Sequence, residues 1–251
     1  MSESHSRRAR SFGSVADLYS EARPGYPLAA IAWALEHAPG RDVLDLAAGT
    51  GKLTEVIAAT GAHVTAVEPL EEMRRELART VPAATLLSGS AEQIPLADGA
   101  VDAVLVGQAF HWFDQPRALD EMARVLRPGG VVGLIWNLRD ESEEWAQRVT
   151  ELLDSADVVS SGVEREADVL VAHRRFGSVE HRTWPNPVEF DRDRLRAWAR
   201  STSIIATMQP EQAKATVDAL ADLADSHPQL HGRETFEMPY VTFVLRARRN
   251  D

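Results

Sequence analysis

The chain has 251 residues, no cysteine, and a formal charge of −11 from 27 Lys+Arg against 38 Asp+Glu. Without a thiol there is no disulfide framework, no cysteine-ligated zinc and no cysteine nucleophile, which suits a reducing cytoplasm, the expected location. The acidic balance repels a phosphate backbone, so nucleic acid is not expected as a partner. The longest apolar runs, Ala103–Val106 and Val131–Trp136, are far short of a bilayer span, so no membrane association is expected.

Met1–Arg10 is polar, carries Arg7, Arg8 and Arg10, and leads into no apolar core of a targeting signal. Residues 1–14 read as a mobile arm. A helix follows over Pro27–Ala38, with Leu28, Ile31, Trp33 and Leu35 at helical spacing and Pro39-Gly40 as its stop. The pattern then alternates. Asp42–Leu46 is a short buried strand, Lys52–Thr60 a helix stopped by Gly61, His63–Glu68 a second strand and Leu70–Thr80 a second helix. Thr85–Leu87 is a third strand and Val101–Gly107 a fourth, entered from the Asp98-Gly99 turn. A helix over Pro116–Leu126 ends at Arg127-Pro128-Gly129-Gly130, and Gly130–Asn137 is the fifth strand. Continuous apolar strands between ten-residue helices predict βαβ units and a parallel sheet covered on both faces.

The second half has a different texture. Residues 141–175 read as charged helix and Val179–Phe190 as one extended strand interrupted by Pro185 and Pro187. Helices follow at Arg192–Thr202 and Pro210–Asp225, and a last strand at Tyr240–Ala247. No repeat or low-complexity linker divides the chain. One domain is expected: an arm and helix over 1–40, a ligand-binding core over 41–137, a cap with a late strand over 138–235, and a terminal strand over 236–251. Trp145, Trp184 and Trp198 are expected to pack in the core of that cap rather than line a pocket. Arg192–Arg200 reads as a solvated helix face.

The chemistry concentrates in Val43-Leu44-Asp45-Leu46-Ala47-Ala48-Gly49-Thr50-Gly51-Lys52-Leu53-Thr54, a buried strand running through a glycine turn into a helix. Glycine lets backbone approach a ligand closely, and a helix start offers unpaired N–H groups. A phosphate-binding P-loop would need glycine at position 46 and Ser or Thr at 53, where this chain has Leu46 and Leu53. A dinucleotide fingerprint would need a small residue at position 54, occupied by Thr54. What remains is an acidic residue ending the strand, then x-small-x-Gly-x-Gly.

Asp45-Leu46-Ala47-Ala48-Gly49-Thr50-Gly51 resembles motif I of the class I S-adenosylmethionine-dependent methyltransferases. Glu68 ends the second strand 23 residues after Asp45. Gly89-Ser90-Ala91-Glu92-Gln93-Ile94-Pro95-Leu96, followed by Asp98-Gly99-Ala100-Val101-Asp102, is similar to the family's adenine-edge loop and the strand behind it. Arg124-Val125-Leu126-Arg127-Pro128-Gly129-Gly130 resembles the helix-to-strand junction of its small-molecule branch, the type 11 methyltransferases. The resemblance spans residues 41–137 in order and fades beyond them.

The resemblance implies a Rossmann-like, mostly parallel seven-stranded α/β sheet flanked by helices, with the last strand antiparallel and a helical cap. It implies S-adenosylmethionine as cofactor, S-adenosylhomocysteine as product and a small-molecule methyl acceptor as partner. The implied cofactor set is Tyr19, Arg23, Asp45, Ala47, Gly49, Gly51, Glu68, Pro69, Met73, Ser90, Ala91, Glu92, Gln108 and His111. Within it, Glu68 accepts the ribose hydroxyls, and backbone carbonyls near Gly107 and Gln108 meet the ammonium group. Tyr19 and Arg23, in a pattern running to Arg23-Pro24-Gly25-Tyr26-Pro27, fold over the cofactor. The family usually has Gly at Ala47, where alanine fits if φ stays negative. It often has an acidic residue at Ser90, whose contact to the adenine amine then falls to Glu92 or a backbone group.

His111 is the candidate general base, since imidazole titrates near neutrality; otherwise it shapes the pocket with Trp112. The eight His form no H-x-x-x-H or H-x-H pair, so no metal is expected. Methyl transfer needs collinear alignment and water exclusion, with a base only where the acceptor must lose a proton. Two other functions fit such a sheet: a nicotinamide-dependent oxidoreductase, and a non-catalytic S-adenosylmethionine-binding protein.

Overall fold

The computed structural model describes residues 23–153 and 156–250. The arm over 1–14 and Tyr19 lie outside them.

A seven-stranded sheet is built from β1 (Asp42–Leu46), β2 (His63–Val67), β3 (Thr85–Leu87), β4 (Val101–Gly107), β5 (Leu126–Arg139), β6 (Phe176–Pro185) and β9 (Tyr240–Arg249), in the order β3-β2-β1-β4-β5-β9-β6. The first five run parallel, and β9 lies antiparallel to both β5 and β6. The early strands form because their apolar runs are covered on both faces: Val43–Leu46 and Val101–Val106 are buried. Strand order reverses between β1 and β4, where an open parallel sheet leaves a crevice at its carboxyl edge.

The helices α1 (Leu28–Leu35), α2 (Lys52–Ala59), α3 (Glu71–Thr80) and α4 (Gln115–Val125) flank this half. Along α4, Ala118, Leu119, Met122 and Val125 are buried at helical spacing. The strand predicted to open at Gly130 opens at Leu126, which pairs with Val101 before the chain turns at Gly129 (φ 72°) and resumes at Val131. Arg127 spans this turn, 2.8 Å from Asp102 and 3.0 Å from Asp42. Arg124 donates to Glu121, Asp98 and the carbonyls of Ile94 and Leu96, tying the loop before β4 to α4.

The predicted strand Val179–Phe190 is two strands in different sheets. β6 ends at Pro185, and β7 (Val188–Phe190) pairs instead with β8 (Phe236–Met238), a short strand the sequence pattern had not separated from the terminal one. Pro185 and Pro187 lack the N–H that would continue the ladder, so the chain leaves the sheet between them.

The remaining helices are α5 (Glu144–Leu152), α6 (Ala156–Ala172), α7 (Arg192–Ser201), α8 (Ser203–Ala206) and α9 (Pro210–Ser226). Trp145, Val149, Leu195, Trp198, Val217, Leu220 and Phe236 form a second apolar core where α5, α7 and α9 meet. Trp145 meets Phe236 edge-on at 5.5 Å, so both cap tryptophans are core residues, as expected. Trp184 instead lies on β6, against Trp33 of α1. Helix α6 packs on the main sheet rather than on the cap, its Leu170 buried with Phe110 and Leu119.

Candidate active site

The turn between β1 and α2 forms one wall of a cleft at the carboxyl edge. Arg23, Asp45, Ala47, Gly49 and Gln108, all expected at the site, line it together with Pro24, Tyr26, Ala48, Thr50, Lys52, Leu53 and Gly107. The cleft opens to solvent, and the space over its lining, open solvent included, is about 530 Å³.

Asp45 is 1% exposed. Its Oδ2 accepts the Thr54 hydroxyl at 2.6 Å, while Oδ1 is buried without a hydrogen-bond partner among the described residues. Burial pushes the carboxyl up to about 7; the Thr54 hydroxyl opposes this and the nearby charge of Glu68 adds to it. Thr50 Oγ1, on another residue of the cleft wall, is a second buried polar atom without a partner among the described residues. Buried polar groups are normally satisfied, so two orphans in one concave wall mark where a polar ligand belongs.

The turn itself is left-handed at three points: Ala47 (φ 60°), Gly49 (φ 57°) and Gly51 (φ 95°). Ala47 therefore departs from the expected negative φ. Alanine in this left-handed region bears a strain of roughly 1–2 kcal/mol. Replacing Ala47 with Gly relieves that strain against about 0.5–1 kcal/mol of glycine entropy. The melting temperature should rise by about 1–4 °C, as scanning calorimetry would register.

The two glycines do different work. A Cβ on Gly49 would meet nothing within 4 Å, so that position of the cleft wall faces open space. A Cβ on Gly51 would lie 2.9 Å from Leu77 Cγ of α3. Gly51 serves helix packing and caps α2, and it does not line the cleft. Gly51→Ala combines a left-handed φ with that clash and should cost about 2–3 kcal/mol in chemical denaturation.

Glu68 is 6% exposed, and burial raises its carboxyl above the ordinary range against hydrogen bonds from Leu70 and Gly49. Its Oε2 accepts the Gly49 N–H at 3.0 Å and its Oε1 the Leu70 N–H at 2.9 Å. The carboxylate thus ties the glycine turn to β2, and each oxygen keeps a further lone pair. Pro69 is exposed on the surface, whereas Met73 and Ala91 are buried. Ser90 closes a tight bridge with Gln93. Glu92 Oε1 accepts the Asp114 N–H at 3.0 Å, just before α4. None of these six lines the cleft.

Gln108 closes β4 with a left-handed φ of 57°, a costly setting for glutamine of the kind found at functional sites. Its N–H donates to Ile135 O and its amide to Asn137 O. Tyr26 packs over Gly107, where a Cβ would stand 2.6 Å from its hydroxyl. The segment carrying it is fastened by Asn137 and Asn186, which both donate to Gly25 O. Arg23 reaches the cap, donating to Ser201 O at 2.8 Å. His111 sits in a single 3-10 turn after Gln108, outside the cleft lining, its ring 4.6 Å from that of Trp112.

Thr50, Lys52 and Leu53 were missed as lining residues, although they lie within the very turn that carries the motif. Only the burial of the Thr50 hydroxyl distinguishes it.

Residues 44–134 match a family model described as a methyltransferase domain. Together with a relative 41% identical over nearly the whole chain, this match shows that the chain belongs to the class I S-adenosylmethionine-dependent methyltransferases. It is 41% identical over 238 residues to an uncharacterized methyltransferase of Mycobacterium tuberculosis, covering 94% of this chain and 95% of that one. It is 31% identical over 161 residues to the demethylmenaquinone methyltransferase of Paenarthrobacter aurescens, covering 63% and 60%. Among solved structures, a candidate type II methyltransferase from Anaeromyxobacter dehalogenans aligns with a TM-score of 0.69 and 26% identity, over 90% of this chain and 97% of that one. The chain is thus an enzyme of methyl transfer, and neither alternative function gains support from these matches.

Proposed function

We propose that this methyltransferase acts on a small-molecule acceptor in the cytoplasm, with S-adenosylmethionine held in the cleft between β1 and β4. The carrying observation is the pair of buried, unpartnered oxygens, Asp45 Oδ1 and Thr50 Oγ1, in a wall whose Gly49 position is open. A ligand with a cationic amine satisfies the first and any donor or acceptor the second. Glu68 would hold the ribose hydroxyls with the lone pairs its backbone contacts leave. Carbonyls near Gly107 and Gln108 would receive the ammonium group.

When bound, the cofactor supplies a methyl group already activated on a sulfonium, so the chain's own work is alignment and water exclusion. Arg23 and Tyr26 close the cleft's N-terminal side, and Arg23 links it to the cap. His111 would take the proton of an acceptor that has to lose one. The nicotinamide reading stays weaker for a physical reason: the third small residue it needs is Thr54, whose hydroxyl is engaged by Asp45.

The acidic surface and the relative that acts on demethylmenaquinone support a small acceptor over nucleic acid. Among the described residues, no helix is long and apolar enough to cross a membrane. Incubation with methyl-tritiated S-adenosylmethionine and a cytosolic extract should place label in the low-molecular-weight fraction. Label confined to RNA or protein contradicts the proposal.

A further inference from the structure

Glu166 lies on α6, whose sheet-facing side also packs against the 3-10 turn Phe110–Trp112. It is 3% exposed, and its Oε2 has no hydrogen-bond partner among the described residues. Burial pushes its carboxyl up to about 7, against a smaller opposing effect of Arg165 on the same helix. From the facing 3-10 turn, His111 places Nδ1 4.0 Å from Oε1. Further along α6, His173 faces Asp120 of α4 at 3.6 Å, a separate pair. The His111 side chain is 43% exposed, and its Nδ1 edge faces the buried carboxyl.

A buried carboxyl with an unused oxygen is expensive and is better replaced by an apolar side chain if stability alone is at stake. Groups that cost stability and are kept concentrate at working sites. The 4.0 Å separation is about one ångström beyond a hydrogen bond, the looseness usual for catalytic contacts before ligands bind.

We infer that Glu166 is the positioning residue of His111. This rests on the reading of His111 as the base. Glu166 holds the proton on Nδ1, leaving the Nε2 lone pair to accept a proton from the acceptor. As that proton moves to Nε2, the acceptor keeps the electron pair that would bond the methyl carbon as the methyl–sulfur bond breaks and sulfur retains its pair, and the imidazolium formed is balanced by the Glu166 carboxylate. The proton then passes from Nε2 to water. The acceptors this arrangement serves are those that must be deprotonated: phenols, amines and acidic C–H groups.

The test needs no acceptor. Long-range 1H–15N spectra of the full chain at pH 8, saturated with S-adenosylhomocysteine, report the His111 tautomer. Wild type is expected to show the Nδ1–H form. Glu166→Met should shift it toward Nε2–H, and Glu166→Gln, whose carbonyl still accepts, should retain Nδ1–H. Glu166→Met should also melt about 3 °C or more above wild type, which a purely structural acid would not allow. An Nε2–H tautomer in wild type, one tautomer in all three proteins, or a Glu166→Met variant that melts lower or does not fold each overturns the inference. S-adenosylhomocysteine affinity is measured on the same samples. Binding without the tautomer pattern removes only Glu166's role, whereas absent binding in wild type strikes the cofactor reading itself.

Discussion

Asp45→Asn is expected to weaken S-adenosylhomocysteine binding about 10- to 100-fold while leaving the apo protein folded. The amide side chain keeps an oxygen for the Thr54 hydroxyl, so the packing around Oδ2 survives. What the variant loses is the negative charge at Oδ1, a buried atom with no hydrogen-bond partner among the described residues. A charge-assisted hydrogen bond is worth roughly 1.5–3 kcal/mol, and each 1.4 kcal/mol is tenfold in affinity. Because a buried carboxylate is a burden without its ligand, the apo variant should melt at or above wild type. Isothermal calorimetry and thermal melting on the same samples decide both points. Unchanged affinity, with the variant folded, places the ligand away from Asp45.

The apo enzyme should be less stable at pH 8 than at pH 5. Asp45 and Glu166 both titrate at about 7 in the fold, well above their ordinary values. A carboxyl with a raised folded pKa binds its proton more tightly in the native state. Its contribution is complete below pH 4 and is lost as the pH rises to 7 and beyond. Glu68 is shifted in the same direction by burial. His173, held low by burial, works the other way below pH 6.5. The paired surface carboxylates Asp42, Glu121 and Glu180 are held low and change nothing in this window. Two strongly raised carboxyls, each on the order of 3 kcal/mol, outweigh one imidazole. A melting temperature about 5–10 °C higher at pH 5 follows.

The same linkage gives binding its sign. A cationic amine beside Oδ1 stabilises the Asp45 carboxylate, so ligand binding near pH 6.5 should release a proton and tighten as the pH rises toward 8. Calorimetry in buffers of different ionisation enthalpy counts that proton. Uptake instead of release would mean that no cation approaches Asp45.

The parts of the molecule written into the sequence are those whose physics is local. The run from Val43 to Thr54 declares a buried strand, a glycine turn and a helix start without reference to anything distant, and the structure builds them in place. The same holds for α4 and the Asp98-Gly99 turn. Placement of β9 between β5 and β6 depends on pairing Val131–Arg139 with a segment a hundred residues away, which no local pattern encodes. Pro185 and Pro187 announced a break, but not that β7 would find β8 in another sheet.

Within the site, residue type was more legible than residue task. Gly49 and Gly51 look equivalent in the motif, yet Leu77, approaching from α3, turns Gly51 into a packing position. The positive φ of Ala47 reflects the turn's path rather than alanine's preference. Glu68 was readable as an acceptor, but its hold on the Gly49 and Leu70 N–H groups depends on how β2 ends beside the turn. Glu166 carries no local sign at all: a glutamate on a charged helix looks solvated until α6 is laid against the sheet.

The most direct trial of the account is a calorimetric titration of the purified chain with S-adenosylhomocysteine at pH 8, alongside NADH. A single saturable site for S-adenosylhomocysteine in the micromolar range, and no heat from NADH, is the expected result. A folded sample that takes up NADH, or that ignores S-adenosylhomocysteine at several hundred micromolar, contradicts it.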